Sequence, residues 1–303
     1  MTFADRLAQL VAARESQIVL GLDPDPTRLW PEAIVEAPPD GPPARRAAAA
    51  VRAHCAALID AAGPACVAVK PQLACFERLG AEGWAALAAV AEHARTAGLL
   101  VLADGKRGDV AVSSAAYADA LAGSTQTPFV DVAGLGADAF TASPLLGGDA
   151  LEPLIAGARA AQAGVFVLVR TSNPGAADVQ DLALAQGGAL WERLARLVAQ
   201  LGDAGPASAA GLADVGAVVG ATAPQHMARM RELMPRAVLL LPGIGAQGGR
   251  IEDLAPAFSS HRAGGLVSAS RWIAGAHEAG GGSPATAARA QAERLREAAW
   301  ALS

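Results

Sequence analysis

The sequence predicts an α/β protein that folds as a single (β/α)8 barrel, with one domain over residues 1–303. Two observations predict this class. Eight short aliphatic runs alternate with segments of helical spacing, and small or polar residues follow each run. Continuous apolar runs are typical of parallel strands that are buried on both faces. Eight such strands fit a barrel of about 250 residues with room for insertions, and an open doubly wound sheet is the alternative.

The predicted strands are the aliphatic runs themselves. In chain order they are Ile18–Leu22, Cys66–Lys70, Leu99–Asp104, Ala139–Ser143, Gly164–Arg170, Val215–Gly220, Ala237–Leu241 and Gly265–Ala269. Helices are predicted where apolar residues recur at every third or fourth position. The clearest stripes are Phe3, Leu7, Leu10 and Val11; Val51, Cys55, Leu58 and Ile59; Trp84, Leu87 and Val90; and Trp191, Leu194, Leu197 and Val198.

Three stretches rich in proline or glycine predict surface loops. They are Glu36–Ala44, Gly202–Gly211 and Gly280–Pro284. Because none of them separates two independently patterned halves, we expect one domain.

Composition argues against several classes of partner. The net charge is −5 and no block of basic residues occurs, which disfavours nucleic acid and anionic membranes. No uncharged apolar run reaches the roughly 18 residues of a membrane span. The first residues, Met1–Arg6, form no apolar signal core, so we expect a cytoplasmic protein.

Cysteine and histidine spacing predicts neither a disulfide framework nor a metal site. Cys55, Cys66 and Cys75 are an odd, loosely spaced set, and the five histidines are dispersed. We therefore expect reduced, mostly buried thiols and no bound metal.

The strongest functional signal follows the third predicted strand, in the motif Asp104-Gly-Lys106-Arg107-Gly-Asp109. Side chains alternate along an extended backbone, so Asp104 and Lys106 point to one face and Arg107 to the other. Charged residues at the carboxyl end of a barrel strand are typical of an active site.

Two neighbouring strand ends add to this cluster. Lys70 ends the second strand, where it would join Asp104, Lys106 and Asp109 in a network of alternating charge. Asp23 follows the first strand, where its carboxylate could accept hydrogen bonds from sugar hydroxyls. A turn at Asp23 and a purely structural ion-pair network are the alternatives.

The fifth strand is followed by Thr171-Ser172-Asn173-Pro174-Gly175. Its hydroxyl and amide groups can read a planar polar ring, although the same residues favour a plain turn.

The last two strand ends carry the candidate phosphate site. The stretch Leu241–Arg250 contains Gly245 and Gln247 in a glycine-rich segment whose backbone N–H groups can face a phosphate. Ser270 and Arg271 follow the eighth strand, and the loops after strands seven and eight often bind phosphate in such barrels. A surface arginine stacked on the neighbouring tryptophan is the alternative for Arg271.

A dinucleotide site is disfavoured although Gly243, Gly245 and Gly248 spell G-x-G-x-x-G. No acidic residue lies between Asp253 and Glu278, so the carboxylate expected about 20 residues further on is missing.

Together, these motifs resemble orotidine 5′-phosphate decarboxylases, in particular the longer bacterial (type 2) branch that carries Lys-Arg-Gly-Asp after the catalytic aspartate. The resemblance runs from Gly21 to Trp272. Its pieces are Leu-Asp23-Pro, Lys70-Pro, Asp104-Gly-Lys106-Arg-Gly-Asp109, Thr-Ser172-Asn-Pro-Gly, Pro-Gly-Ile-Gly-Ala-Gln247-Gly-Gly and Arg271.

The resemblance implies a homodimeric barrel that converts orotidine 5′-phosphate to uridine 5′-phosphate and carbon dioxide without a cofactor, the last step of uridylate synthesis. It implies catalytic roles for Lys70, Asp104, Lys106 and Asp109. Asp109 would reach into the partner subunit's site, and the segment after Gly243 would close over the substrate.

The resemblance also implies the substrate contacts. The ribose would be held by Asp23, Lys70 and Asp109, and the pyrimidine by Ser172 and Asn173. Gln247 would bridge base and phosphate, and the phosphate would also be bound by Gly245, Ser270 and Arg271. Ser113 would belong to the substrate-binding set.

The chain departs from the family pattern in three places. Ser113 replaces the usual threonine but keeps the hydroxyl, Ala111 replaces a frequent glycine, and Gly123–Val132 is an insertion without an assigned role. Two rival functions remain. One is a metal-dependent sugar-phosphate lyase or aldolase on the same scaffold, and the other is a non-catalytic nucleotide-binding barrel.

Overall fold

Eight parallel strands close into a barrel in the computed structural model, which describes residues 1–206 and 208–303. We number them β1 (Ile18–Leu22), β2 (Ala68–Pro71), β3 (Leu100–Arg107), β4 (Ala139–Ala142), β5 (Gly164–Arg170), β6 (Val215–Val219), β7 (Leu239–Pro242) and β8 (Gly265–Ala269). Each strand pairs with its neighbours in chain order, and β8 pairs with β1. The predicted barrel is confirmed, and the open sheet is wrong.

Helices surround the barrel. The longer ones are Phe3–Arg14, Pro43–Ala62, Gly80–Thr96, Ala111–Leu121, Gly148–Ala160, Leu190–Asp203, Met227–Leu233 and Pro284–Trp300. Shorter helices are Pro31–Val35, Leu73–Glu77, Ala176–Val179, Ala255–Phe258, Arg271–Ala274 and Ala276–Gly280, with 3-10 turns at Gly63–Ala65, Pro224–His226, Ile251–Leu254 and Arg262–Gly264. The largest apolar cluster lies between the strands and these helices.

A second apolar cluster fills the barrel interior and includes the first helix. Phe3 meets the ring of Phe166 edge-on at 5.9 Å between centroids. A Cβ atom at Gly164 would lie 2.4 Å from the Phe3 ring, so glycine is required where the helix enters. The first helix therefore plugs the amino-terminal end of the barrel, and the opposite end stays open.

The predicted apolar stripes are buried with a few exceptions. Leu87 and Val90 are fully buried, but Trp84 is 42% exposed, so its assignment to that stripe is wrong. The buried position one residue earlier is Gly83, whose close approach to the carbonyl of Phe76 leaves no room for a side chain. Leu10, Leu194 and Leu197 are half-buried.

The predicted loops are shorter than expected. Residues 36–42 form the first, because a helix begins at Pro43. In Gly202–Gly211 the helix runs on to Asp203, and Ala207 lies outside the described residues.

The insertion predicted at Gly123–Val132 forms a hairpin in which Ser124–Thr125 pairs antiparallel with Val132–Ala133. Among the described residues, no helix combines the length and the apolar character that crossing a bilayer requires.

Candidate active site

A cavity of about 690 Å³ opens at the carboxyl ends of the strands. Its charged lining consists of Asp23, Lys70, Asp104 and Lys106. Its apolar lining includes Leu168, Val218 and Leu240 from β5, β6 and β7. The cavity therefore sets a charged wall opposite an apolar one, which suits a ligand that is polar on one side.

Asp104 is the centre of the charged wall. Its Oδ2 atom lies 2.6 Å from Lys70 Nζ, and its Oδ1 atom lies 2.6 Å from Lys106 Nζ. Asp104 and Lys70 are only 6% and 7% exposed. The Lys106 side chain is 42% exposed, so one ammonium group is buried and the other faces the cavity.

The pKa values follow from this pairing. Burial acts to raise the pKa of Asp104, but the ammonium groups of Lys70 and Lys106 outweigh it and lower the pKa to about 2. Burial acts to lower the pKa of Lys70, but the carboxylates of Asp104 and Asp23 reverse the effect and raise it. Asp104 is therefore ionised and Lys70 protonated at neutral pH.

Both lysines of the chain lie in this cluster. The chain has 24 lysine and arginine residues together, of which only Lys70 and Lys106 are lysines. In every other ion pair among residues 1–206 and 208–303 the basic side chain is an arginine, apart from one histidine. A lysine differs from arginine in being a compact charge that can release its proton.

Sequence reasoning missed two polar partners of Asp104. Gln72 Nε2 donates to Oδ2 at 3.2 Å, and the Thr141 hydroxyl donates to Oδ1 at 2.9 Å. Two signals could have found them. Gln72 lies two residues after Lys70 and so on the same face of an extended chain, and Thr141 is a polar residue within an otherwise apolar strand.

The backbone at Lys106 is left-handed, with φ at 49°. The register between β3 and β4 shifts here, since Ala103 pairs with Phe140 but Arg107 pairs with Ala142. Three residues of β3 thus stand opposite Thr141 alone, which is a bulge that aims a side chain. The Lys106 N–H donates to Thr141 Oγ1 at 2.8 Å.

Arg107 points away from the cavity. Its guanidinium forms an ion pair with Glu77, at the end of helix Leu73–Glu77, and lies 5.5 Å from the centroid of the Tyr117 ring. Arg107 therefore ties β3 to the helices on either side of it.

Asp23, Ser172 and Asn173 also line the cavity. The Asn173 Oδ1 atom accepts a hydrogen bond from Thr171 at 2.7 Å. Thr222 donates to the carbonyl of Ser172 at 3.0 Å, which fixes that turn. The Ser172 and Asp23 side chains have no hydrogen-bond partner within residues 1–206 and 208–303.

A smaller cavity of about 70 Å³ adjoins the first. Gln247, Ser270 and Arg271 line it, and Asp23, Lys70 and Gln247 are shared with the larger cavity. The Gly245 N–H donates to the carbonyl of Gly249, so that amide is used within its own loop. Phosphate contact through Gly245 therefore requires the loop to rearrange.

Asp109 and Ser113 do not line the cavity of their own chain. Asp109 Oδ1 accepts from the Val110 N–H at 2.7 Å, and the Asp109 carbonyl accepts from Ser114 Oγ at 2.7 Å. One chain thus gathers three of the four charged residues predicted for the network.

The described residues contain no group of three or more histidine, cysteine, aspartate or glutamate side chains that could hold a metal ion.

Comparison with known proteins adds an independent observation. The model of the orotidine 5′-phosphate decarboxylase / HUMPS family matches residues 16–290. An orotidine 5′-phosphate decarboxylase of Rhodopirellula baltica is 41% identical over 281 residues, which are 92% of this chain and 90% of the relative. That of Deinococcus radiodurans is 42% identical over 272 residues, covering 90% of this chain and 89% of the relative.

A solved structure agrees with these matches. The structure of Leishmania donovani OMP decarboxylase is 32% identical and superposes with a TM-score of 0.70. The superposition covers 99% of this chain and 99% of that chain. The barrel and the sequence therefore point to the same relatives.

Proposed function

The chain belongs to the orotidine 5′-phosphate decarboxylase family, and from this premise we propose how its residues convert orotidine 5′-phosphate to uridine 5′-phosphate and carbon dioxide, the last step of de novo uridylate synthesis. One observation carries the proposal. The ammonium group of Lys106 faces the cavity and is held 2.6 Å from the buried carboxylate of Asp104.

The reaction needs a fixed positive charge. When the bond between pyrimidine C6 and the carboxylate breaks, carbon dioxide leaves and the electron pair stays on C6 in an sp² orbital. That orbital lies outside the π system of the ring, so no carbonyl group can absorb the charge. Lys106 stabilises the pair electrostatically, then transfers a proton to C6, and the resulting neutral amine takes a proton from solvent.

Asp104 and Lys70 hold the reacting group in place. Asp104 fixes the Lys106 ammonium group and lies where the substrate carboxylate enters, so the bound substrate carries a repulsion that the departure of carbon dioxide relieves. Lys70 keeps Asp104 ionised, because it supplies a buried positive charge on the opposite oxygen.

The rest of the cavity provides binding energy. Asp23 and Lys70 suit the ribose hydroxyls, and Ser172 with Asn173 suits the polar edge of the pyrimidine. Gln247 lines both cavities, which suits a bridge between base and phosphate, and Arg271 with Ser270 suits the phosphate. Phosphate is remote from C6, so its binding energy offsets the cost of closing the loop after Gly243.

The active form is a homodimer in which each chain completes the other's site. Asp109 has no ion-pair partner among the described residues. Two apolar residues close to it in sequence are exposed to solvent, Val110 at 61% and Val112 at 84%. Leu145, after β4, is 79% exposed, and the Gly108 backbone packs against Ser143 beside it. Apolar residues around an unpaired carboxylate suit a contact that delivers Asp109, and with it Ser113, to a second copy.

Cysteine use supports a cytoplasmic location. Cys55, Cys66 and Cys75 are all free, and burial raises the pKa of the Cys66 thiol to about 12. Unpaired, unreactive thiols suit a reducing compartment.

The decisive experiment follows the absorbance of orotidine 5′-phosphate with purified protein in excess chelator. We expect full turnover and one carbon dioxide per uridine 5′-phosphate formed. Turnover that stops in chelator and returns with Mg²⁺ would favour the metal-dependent lyase. Tight binding of uridine 5′-phosphate without turnover would favour the non-catalytic barrel.

A further inference from the structure

We propose that Thr141 is a positioning residue for the decarboxylation, because its hydroxyl group ties the Asp104 carboxylate to the backbone of Lys106. The inference rests on the roles proposed above for Asp104 and Lys106. The Thr141 side chain is 1% exposed, lies on β4 and lines the cavity beside Asp104 and Lys106.

The bulge between β3 and β4 changes the hydrogen-bond partner of the Lys106 backbone. In a regular parallel ladder the Lys106 N–H would donate to a backbone carbonyl of the neighbouring strand. The register shift removes that partner, and Thr141 Oγ1 accepts the hydrogen bond instead, at 2.8 Å. The hydroxyl therefore supports a left-handed backbone at Lys106, a conformation that is costly for a residue with a Cβ atom.

The same Thr141 hydroxyl donates its proton to Asp104. A threonine hydroxyl has one proton, and the N–H of Lys106 already occupies one of its acceptor positions. The ionised Asp104 carboxylate has no proton to donate and can only accept. The Thr141 proton therefore points to Asp104 Oδ1, 2.9 Å away. The hydrogen bond is charge-assisted and has only one direction.

Four donors orient the Asp104 carboxylate. Each Asp104 oxygen accepts from one ammonium group and one neutral donor: Lys70 and Gln72 on Oδ2, and Lys106 and Thr141 on Oδ1. A lysine side chain is flexible and can follow a carboxylate that rotates. Gln72 and Thr141 are attached to strand ends, so they fix the plane in which Lys106 is held.

Thr141 thus acts on the reaction through two other residues. It sets the backbone from which the Lys106 side chain leaves and the oxygen that receives its ammonium group. Removing the hydroxyl moves the ammonium group relative to C6 but removes no contact proposed for the ribose or phosphate. The loss should therefore fall on kcat rather than on binding.

The test compares Thr141→Val, which keeps the shape, with Thr141→Ser, which keeps the hydroxyl. We expect kcat of Thr141→Val to fall about ten- to hundredfold, the effect of one lost hydrogen bond to a charged group. The Kd for uridine 5′-phosphate should stay within about twofold of wild type, because the lost contact is not made by substrate. Thr141→Ser should restore kcat to within about threefold of wild type, since both hydrogen bonds return.

The matched control is Ser16→Ala. Ser16 is also fully buried, and its hydroxyl donates to the carbonyl of Ala65 at 2.6 Å, before β1 at the amino-terminal end of the barrel. Ser16→Ala should lower the thermal midpoint and leave kcat unchanged. This comparison separates the loss of any buried hydroxyl from the loss of one beside Lys106.

Several outcomes would overturn the inference: a wild-type kcat in folded Thr141→Val, a loss that Thr141→Ser does not restore, or a weakened Kd that accounts for the whole effect. If Thr141→Val does not fold, Thr141→Cys, a weaker donor, replaces it and should still lower kcat at unchanged Kd. An inactive wild-type protein, or an active Lys106→Ala variant, would instead overturn the proposed function.

Discussion

Asp104 and Lys106 form an ion pair with one fixed end and one open end. Their charged atoms are 2.6 Å apart, but the Asp104 side chain is 8% exposed and the Lys106 side chain 42%. The carboxylate is held by four donors, whereas Asp104 alone contacts the Lys106 ammonium group within residues 1–206 and 208–303. The remaining N–H directions of Lys106 are free for a substrate in the cavity, and the first prediction follows from this asymmetry.

Acetylation with acetic anhydride should distinguish the two lysines. We expect Lys106 to react several-fold faster than Lys70, because the Lys70 side chain is only 9% exposed and its pKa is raised. Since the chain has no other lysine, loss of activity should follow modification of Lys106 in proportion. Peptide mass spectrometry of samples taken over time measures both quantities.

A lysine-containing peptide added to the sample provides a reference for this labelling. Excess uridine 5′-phosphate should slow the reaction of Lys106 and leave that of the peptide unchanged. Equal protection of both amines, or activity that survives full modification of Lys106, would contradict the assignment.

The second prediction concerns Asp104 and pH. Burial acts to raise its pKa, but the two lysines lower it from 3.8 to about 2. A carboxyl group with a depressed pKa contributes its full stability above the unfolded value, and the contribution is lost as pH falls through the folded value. The difference in free energy of unfolding between wild type and Asp104→Asn should therefore shrink by about 1 kcal/mol from pH 7 to pH 3.

At pH 7, Asp104→Asn should cost about 3 kcal/mol, because it leaves Lys70 buried without its countercharge. Urea unfolding at both pH values measures the two differences. Asp40→Asn is the control, since Asp40 is exposed and makes no hydrogen bond among the described residues. If the difference in free energy of unfolding between wild type and Asp104→Asn is the same at pH 3 and pH 7, the lysines do not lower the pKa of this carboxyl group.

The fold was predictable because barrel strands are buried on both faces. All eight aliphatic runs became strands, and the boundaries moved by three residues at most. The largest shift is in β3, which continues to Arg107 although its apolar run stops at Ala103. The apolar run could not predict the longer strand, because the extra residues form a bulge that is held by the Thr141 side chain of β4. Trp84 was misplaced because it fits the helical spacing of Leu87 and Val90, whereas the packed position on that helix is Gly83, which has no room for a side chain.

The site was predictable where chemistry follows a strand directly. Lys70, Asp104 and Lys106 follow or end apolar runs, so parallel strands bring them to one edge. Thr141 was missed because a threonine within a strand is also what β propensity alone selects. Only the register shift against β3 gives its hydroxyl two partners, and register is a property of the pairing rather than of either strand.

The third prediction tests the shared site with two inactive variants. Lys106→Ala should lose turnover because it lacks the proton donor, and Asp109→Ala because it lacks the carboxylate offered to its partner. In a mixed dimer one site contains both substitutions and the other contains neither. Random mixing of equal amounts should restore about a quarter of wild-type activity, since half of the dimers are mixed and each has one intact site.

Recovery is measured after the two variants have been unfolded and refolded together, with differently tagged chains to verify mixed dimers. Lys106→Ala mixed with Lys70→Ala is the control, because both residues belong to the same chain's site and no intact site can form. Verified mixed dimers without activity would contradict delivery of Asp109 across the interface.

The last prediction concerns the opposite end of the barrel, where Arg231 is 6% exposed and has no carboxylate partner within the described residues. Its Nη1 donates to the carbonyls of Met234, Pro235 and Ala237 at 2.8, 3.3 and 2.8 Å. Its Nη2 donates to those of Ala257 and Gly264 at 2.8 and 2.7 Å. Burial lowers its pKa to about 10, so the guanidinium is still charged at neutral pH.

Arg231→Met should destabilise the fold by about 3 kcal/mol or more, because five carbonyls lose a donor that methionine cannot replace. The carbonyls lie on the segments that lead into β7 and β8, so stability depends on this side chain although substrate does not reach it. Urea unfolding measures the loss, and kcat of the folded fraction should stay at the wild-type value. Arg52→Met, at an exposed helix position, should change neither quantity. If Arg231→Met has the same free energy of unfolding as wild type, the five hydrogen bonds contribute no net stability. If the folded variant has a lower kcat, the two ends of the barrel are coupled and the prediction of an unchanged kcat is wrong.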